Sequence, residues 1–417
     1  MLHQFAHGGD LHLGPNDRNK DRRAAFDTFI AEGLALERLA AWCLPGDLNH
    51  ARMTIEDRNY LADRLRAMAD LAPVLIVRGN HDIPGDLDIF ARLRAAWPVY
   101  VATTPGVVSV PLATGATASV FCLPYPTEAG LVSAGAAPGD VVQNARVALE
   151  AIFMEAGHQF DAARVMGEIP IALGHVNVAG SITATGQPNI GQEIEVDAAL
   201  IALLGPCYVG LNHIHKGQQI GGAWYPGSFC RLDWGEIDPK RWLLVSYAEN
   251  PSDVGGYTVG VEARPLAVAP LYHVEGVLTR DTFDWVVKAA SDGAPIEAPA
   301  SWAGCEVRVR YRFNASEKAL LEHAKSRILA EFAEAARLEL EPVAVPDRAL
   351  RAPEVAAARS LADKVEAWAE LSGAVVTEGV VEKLAALEHG DPATVLAGVR
   401  ERADAVTRPA GDREAAA

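Results

Sequence analysis

No apolar run in this 417-residue chain reaches the roughly eighteen residues that a bilayer-crossing helix needs, which argues against a membrane protein. Met1-Leu2-His3-Gln4-Phe5 lacks the basic region and hydrophobic stretch of a signal peptide, which points to the cytoplasm. Cysteine is scarce: Cys43, Cys122, Cys207, Cys230 and Cys305 are far apart, odd in number and free of any CxxC pair. They read as buried free thiols in a reducing compartment rather than as a disulfide framework. Basic residues are in deficit, 37 Lys and Arg against 54 Asp and Glu, for a net charge of −17. That charge excludes a protein that coats nucleic acid by counterion release, so any DNA contact must be local, metal-assisted or shared with a partner. No internal repeat is present.

With 50% apolar residues the chain can bury one large domain and one or two smaller ones. Helix-like and strand-like stretches alternate in the first part, the pattern of an α/β layered domain. Leu2 to Ala6 is a strand running into the Asp10 loop, and Arg22 to about Glu37 has Phe26, Phe29 and Ile30 at helical spacing. Leu39–Leu44 is a short buried strand ending in Pro45-Gly46-Asp47. A helix with Leu61, Leu65 and Met68 on one face follows, then the strand Val74–Val77, which leads into Gly79-Asn80-His81-Asp82. Downstream, Val120–Leu123, Ile169–Leu173 and Cys207–Leu211 are strands, and the last two run into Gly174-His175 and His213-Ile214-His215. Trp242–Tyr247 and the stretch Tyr257–Leu271 complete a catalytic domain over residues 1–272. Residues 273–345 form a small α+β unit, with a helix over Thr282–Ser291, an alternating strand over Cys305–Phe313 and a helix around Glu317–Ala335. In 346–406 two amphipathic helices, marked by Leu361, Val365, Trp368 and Leu371 and by Val380, Val381, Leu384 and Leu387, end near Gly373 and Gly390. Residues 407–417 read as a disordered tail.

The motifs carry the chemistry of a two-metal site. Asp10 and His12, two residues apart in a loop, can hold one cation together. Asp47 has two oxygens and can bridge ions about 3.5–4 Å apart. Asn80 is a neutral oxygen ligand, and His175, His213 and His215 add imidazoles, which favour manganese, iron or zinc over magnesium. Such a set suits hydrolysis of a phosphate ester by an activated water. His81 follows a ligand directly and can reach a phosphate as charge stabiliser or general acid, with Asp82 orienting its ring.

Taken in order, Asp-x-His, Gly-Asp, Gly-Asn-His-Asp, Gly-His and His-x-His resemble the calcineurin-like metallophosphoesterase superfamily. More narrowly they resemble the SbcD nuclease family of double-strand-break repair. His7-Gly8-Gly9-Asp10-Leu11-His12-Leu13-Gly14, Gly46-Asp47-Leu48-Asn49-His50, Tyr225-Pro226-Gly227-Ser228 and Arg231-Leu232-Asp233-Trp234-Gly235-Glu236 carry this likeness, which covers roughly the first 270 residues. The resemblance implies two packed sheets flanked by helices, a cap domain over 273–345, and a C-terminal helical segment that docks on an SbcC-like coiled-coil ATPase. It implies two divalent metals, foremost Mn2+, one held by Asp10, His12 and His215, the other by Asn80, His175 and His213, with Asp47 shared. His81 would then be the transition-state residue and His50 a helper near a DNA strand. The family also implies a homodimer. Asn212 stands where the family usually has Gly, and Pro45 where a small or apolar residue is usual.

Each fragment alone has a bland reading, because single histidines are more often hydrogen-bonded core or surface residues than ligands. Five fragments in order, each after a strand, outweigh that reading. His7 is read as structural, and His3, His158 and His389 as surface residues. The C-terminal amphipathic pair, on residues alone, packs on its own domain. Three functions compete: a DNA nuclease subunit, a small-molecule or cyclic-nucleotide phosphodiesterase or phosphatase of the same fold, and a non-catalytic DNA-end scaffold. Protein Ser/Thr phosphatases are disfavoured because Ala51 stands where they carry an Arg.

Overall fold

Phe5 and Ala6 are adjacent and both buried, yet they belong to different apolar clusters. A strand pleat sends alternate side chains to opposite faces, so a strand buried on both faces lies inside a layered fold. The computed structural model describes residues 1–15, 18–127, 141–184, 194–250, 256–279, 281–289, 293–314, 321–345 and 352–391, with 394 and 396. The chain begins β1 (Leu2–His7), α1 (Asn19–Leu34), β2 (Leu39–Leu44), α2 (Ile55–Ala69), β3 (Val74–Val77), β4 (Val99–Ala102), β5 (Gly106–Pro111) and β6 (Thr117–Leu123). It continues α3 (Val141–Val165), β7 (Ile169–His175), β8 (Asn177–Val178), β9 (Glu195–Val196), α4 (Ala198–Ala202), β10 (Tyr208–Asn212), β11 (Gln218–Ile220), β12 (Ala223–Tyr225), β13 (Arg241–Glu249) and β14 (Tyr257–Pro265).

Two mixed six-stranded sheets result, ordered β14-β13-β1-β2-β3-β4 and β11-β12-β10-β7-β6-β5. Between them Phe5, Ala41, Cys43, Leu75 and Val77 of the first sheet meet Val120, Cys122, Ile171, Leu173 and Tyr208 of the second. The outer face of the first sheet (Ala6, Trp42, Leu44, Val74, Ile76) buries Phe26 and Phe29 of α1 with Leu61, Leu65 and Met68 of α2. The outer face of the second (Phe121, Leu123, Ala172, Val209, Leu211) takes Leu149, Phe153 and Phe160 of α3. This is the layered α/β architecture expected, each buried aromatic contributing about 1.5–3 kcal/mol. Thr54 caps α2 by accepting a hydrogen bond from the Asp57 N–H.

His3 departs from expectation. Positions 3, 5 and 7 share one face of β1, so its ring is buried between the sheets, with Nδ1 2.7 Å from Thr114 Oγ1. His158 is exposed, as read. The helix expected over Thr282–Ser291 is also corrected. Phe283–Lys288 is a strand, β16, in the sheet β17-β16-β15-β18-β19 formed with β15 (Leu271–Leu278), β17 (Pro295–Ile296), β18 (Glu306–Asn314) and β19 (Arg337–Val345). Its aromatic and β-branched residues fit a pleat: Val287 is buried and pairs with Ile296, while Asp284 and Val286 are exposed on the opposite face. A helix, α5, spans Leu321–Glu331.

The chain divides into two compact units: Met1–Val277 with Phe283–Tyr311 and Arg327–Glu341, and Leu278–Thr282 with Arg312–Ser326 and Pro342–Ala417. Within the first, the buried Glu306 carboxylate gathers Arg18 (2.7 Å), Arg231 (3.2 Å) and Arg337 (2.5 Å), and Arg337 also meets Asp21 of α1 at 3.1 Å. The second contains α6 (Pro353–Ala357), α7 (Leu361–Ser372) and α8 (Glu378–His389). Ser360 and Asp363 form a capping box, and Gly373 ends α7 in the left-handed conformation (φ 68°), whereas Gly390 after α8 is extended. Leu361, Trp368, Leu371, Val381 and Leu387 are exposed. The tail 407–417 lies outside the described residues. Among the described residues no helix is long and apolar enough to cross a membrane.

Candidate metal centre

The parallel strands β1, β2 and β3 end on one rim, as do β7 and β10 of the facing sheet. Their carboxyl ends deliver the candidate ligands, because loops there can bend toward one point without disturbing the core. Asp10 and His12 follow β1, Asp47 follows β2, Asn80 follows β3, His175 is the last residue of β7, and His213 and His215 follow β10. The first two loops run side by side: the N–H groups of Asp10, His12 and Leu13 donate to the carbonyls of Gly46, Asp47 and Leu48 at 2.9–3.2 Å. Gly46 (φ 104°) has to be glycine, since a Cβ there would stand 2.2 Å from His175 Nδ1. Among the described residues, Asp10 (φ 50°), His12 (φ 50°), Asp47 (φ 51°) and His213 (φ 105°) are the non-glycine residues with positive φ. Every one is a candidate ligand.

Asp47 occupies the middle. Its Oδ2 lies 3.4 Å from His12 Nε2 and 3.3 Å from His175 Nε2, while Oδ1 accepts a 2.9 Å hydrogen bond from the His81 N–H. Asp10, His12 and His215 gather on one side; Asp10, Asp47 and His175 gather on the other. Asn80 Oδ1 is 2.9 Å from His175 Nε2 and 3.2 Å from His213 Nδ1. All seven candidate ligands therefore converge, and Asp10 touches both groups.

The outer partners fix which nitrogen faces inward. His175 Nδ1 donates to the Pro45 carbonyl at 2.9 Å and His215 Nδ1 to Glu236 at 2.8 Å, which turns both Nε2 atoms to the centre. Lys240 (2.6 Å) and His215 hold the Glu236 carboxyl down at about 2 against its burial. Arg22 grips the His12 carbonyl. Asp82 does not orient His81 as expected. It turns inward, where Oδ2 accepts from the N–H groups of Asp47 and Gly79 (both 2.9 Å) and Oδ1 from Asn49 N–H (3.1 Å), pinning two ligand loops together. Burial and the Asp47 charge push it up to about 6.

His81 Nδ1 donates to the His50 carbonyl at 2.9 Å. Its ring stacks on His50 at 5.0 Å and meets His12 edge-on at 4.8 Å, so both candidate catalytic histidines border the centre. Burial first, then the positive His81, lowers His50. Tyr125, just beyond β6, packs its half-buried ring 5.4 Å from His213 and 6.2 Å from His175.

These residues fit divalent cations. Buried His12 is held far below its ordinary pKa by desolvation, and its Nε2 makes no hydrogen bond, leaving a lone pair aimed at the site. Burial lowers His175, yet Asp47 and Asp10 outweigh it and raise the ring to about 9, so the centre attracts positive charge. The donor set of imidazole, carboxylate and amide oxygen is that of a transition metal rather than calcium.

Sequence reading did not assign Glu236, Lys240, Arg22 or Tyr125 to the site. Glu236 lay within a quoted motif, and its position 21 residues from His215 in sequence gave no sign of their contact.

The fold and site define a metallophosphoesterase-like protein able to hold metal ions. No family model matches the chain. It is 24% identical over 263 residues to the SbcD component of the nuclease SbcCD from two Escherichia coli strains, covering 59% of this chain and 65% of theirs. The chain thus matches just under two thirds of the length of these relatives. With the clustered His and Asp residues, this is a distant relationship to the calcineurin-like metallophosphoesterases. Two Thermus thermophilus crystal structures, one of a hypothetical protein, align at TM-scores of 0.36 and 0.33. They have 14% and 13% identity and cover 62% and 64% of this chain and 99% and 100% of theirs.

Proposed function

We propose that the protein is a metal-dependent phosphodiesterase that cleaves DNA, using two divalent cations, foremost Mn2+. The reading rests on one observation: five strand ends bring seven ligand-type side chains around Asp47 Oδ2, 3.3–3.4 Å from two imidazole nitrogens. When bound, two cations there would supply a water nucleophile at neutral pH and neutralise phosphate charge. The chain's own residues do the rest. Asp10, His12, Asp47, His215, Asn80, His175 and His213 hold the ions, and Glu236 and the Pro45 carbonyl keep His215 and His175 turned inward. His81, anchored through Nδ1 on the His50 carbonyl, presents Nε2 to the phosphate, where it stabilises charge or gives a proton to the leaving oxygen. His50 steadies it by stacking. In His81→Ala both metals stay bound while turnover of a chromogenic phosphodiester falls about 100-fold or more. Near-normal turnover removes His81 from the mechanism.

The likeness to a component of SbcCD supports a repair role beside an SbcC-like ATPase, with the protein itself a homodimer. The exposed apolar residues of α7 and α8 are the docking segment we assign to that ATPase. A chain lacking 350–417 should keep chromogenic-substrate hydrolysis and lose ATPase-stimulated DNA cleavage; retention of a stable complex with the ATPase refutes the assignment. The net charge of −17 favours a second reading, a phosphodiesterase of small or cyclic nucleotides, because the field repels a polyanion. Turnover of cyclic nucleotides with no cleavage of DNA, even with the ATPase present, selects it.

A further inference from the structure

We propose that His7 and Asn212 form a positioning relay that orients the Asp10 carboxylate for metal binding, and that Gly9 is glycine to admit it. The inference rests on the metal-centre reading above. Tyr208, His7, Asn212 and Asp10 make an unbroken buried chain: the Tyr208 hydroxyl is 2.7 Å from His7 Nδ1, His7 Nε2 is 2.9 Å from Asn212 Oδ1, and Asn212 Nδ2 is 2.9 Å from Asp10 Oδ2. The direction of every bond follows from its end. An ionised carboxylate only accepts, so the Asn212 amide turns its NH2 to Asp10 and its oxygen to His7. His7 then donates through Nε2, and as a neutral ring it accepts at Nδ1 from the Tyr208 hydroxyl. Complete burial agrees, since it lowers His7 to about 4 and keeps the ring uncharged.

The next residue acts on the same carboxylate, because the His213 N–H lies 3.1 Å from Oδ1 and 3.2 Å from Oδ2 of Asp10. Two consecutive residues at the end of β10 thereby fix a ligand that follows β1, 202 positions away in sequence. Space was cleared for this. A Cβ on Gly9 would stand 2.5–2.7 Å from the amide atoms of Asn212. Asn212 stands where related sequences usually have Gly, so this chain carries a donor that the usual residue lacks, matched by a missing methyl at position 9.

The test is calorimetric titration of the full-length protein with Mn2+, with unfolding in chelator as the folding control. Asn212→Gly and Gly9→Ala should each weaken Mn2+ binding at the ion held by Asp10 about 10- to 100-fold, the loss typical of a removed outer partner. His7→Gln should fall between these and wild type. The double variant Gly9→Ala/Asn212→Gly should bind no worse than Asn212→Gly alone, because the methyl then has nothing to displace. Unchanged chelated stability in Asn212→Gly shows that the loss is one of ligand orientation. Wild-type Mn2+ affinity in Asn212→Gly, or additive losses in the double variant, overturns the relay while leaving the metal centre intact. Failure of the unaltered protein to take up Mn2+ overturns the centre and the relay together.

Discussion

Replacing Asp47 by Asn keeps the shape of the loop and removes the middle of the centre. The new side chain can turn its oxygen to the His81 N–H, where Oδ1 now sits at 2.9 Å, and its NH2 then takes the place of Oδ2 between His12 and His175. An NH2 cannot ligate a cation. Two dications about 4 Å apart repel by about 16 kcal/mol at an effective dielectric constant of about 20, and a shared carboxylate is what offsets this. Mn2+ uptake should fall from two equivalents to one or none. The rise in unfolding free energy with added Mn2+, about 3 kcal/mol per site at a hundredfold excess over Kd, should shrink by half or vanish. In chelator a second effect separates from the first. The His175 ring, raised to about 9 from 6.5, contributes stability that is fully present below pH 6.5 and lost as the pH climbs through 9. Loss of Asp47 therefore costs the metal-free protein up to about 3 kcal/mol at pH 7, and the gap should close near pH 10. Metal analysis after gel filtration, with urea unfolding in chelator at the two pH values, reads both effects. Two bound equivalents, or a gap that stays constant with pH, refutes the reasoning.

Two further outcomes follow from buried charge. Glu306→Ala leaves Arg18, Arg231 and Arg337 facing one another without their common carboxylate, and should lower stability by about 3–5 kcal/mol, seen as a fall in the urea midpoint. A midpoint within experimental error of wild type would show that the network is inert. His7 titrates in the opposite sense to His175: its folded pKa of about 4 lies below 6.5, so the unfolded chain binds the extra proton and stability present above pH 6.5 is lost as pH falls toward 4. Against His7→Gln, wild type should lose about 3 kcal/mol over that interval in chelator; parallel pH curves would contradict a neutral buried ring.

The layered domain was legible because its central strands are nearly unbroken apolar runs closed by turn residues. Leu39–Leu44 and Val74–Val77 have the same bounds in sequence and structure. The candidate ligands were legible for a related reason: each directly follows such a strand or ends it. Phe283–Lys288 was misread because six residues rich in Val and aromatics satisfy a helical spacing as readily as an alternating one, and only pairing with Ile296 decides. The helix Val141–Val165 escaped although Ala145, Leu149, Phe153, Ala156 and Phe160 recur every three or four residues, the period of its buried stripe. What sequence could not supply was partnership at a distance. Nothing local links His7 to Tyr208, 201 residues on, or tells Asp82 to cap backbone amides rather than the neighbouring histidine.

The left-handed backbone at Asp10, His12, Asp47 and His213 bears on how such a chain changes over generations. Each residue is kept in a conformation that glycine adopts freely and that costs other side chains about 1–3 kcal/mol. Selection for folding alone would replace all four with glycine and gain stability at every step. A lineage released from catalysis should therefore lose these ligands first and fastest, well before the apolar strands that carry them, and a descendant that still has all four reveals that the site is in use.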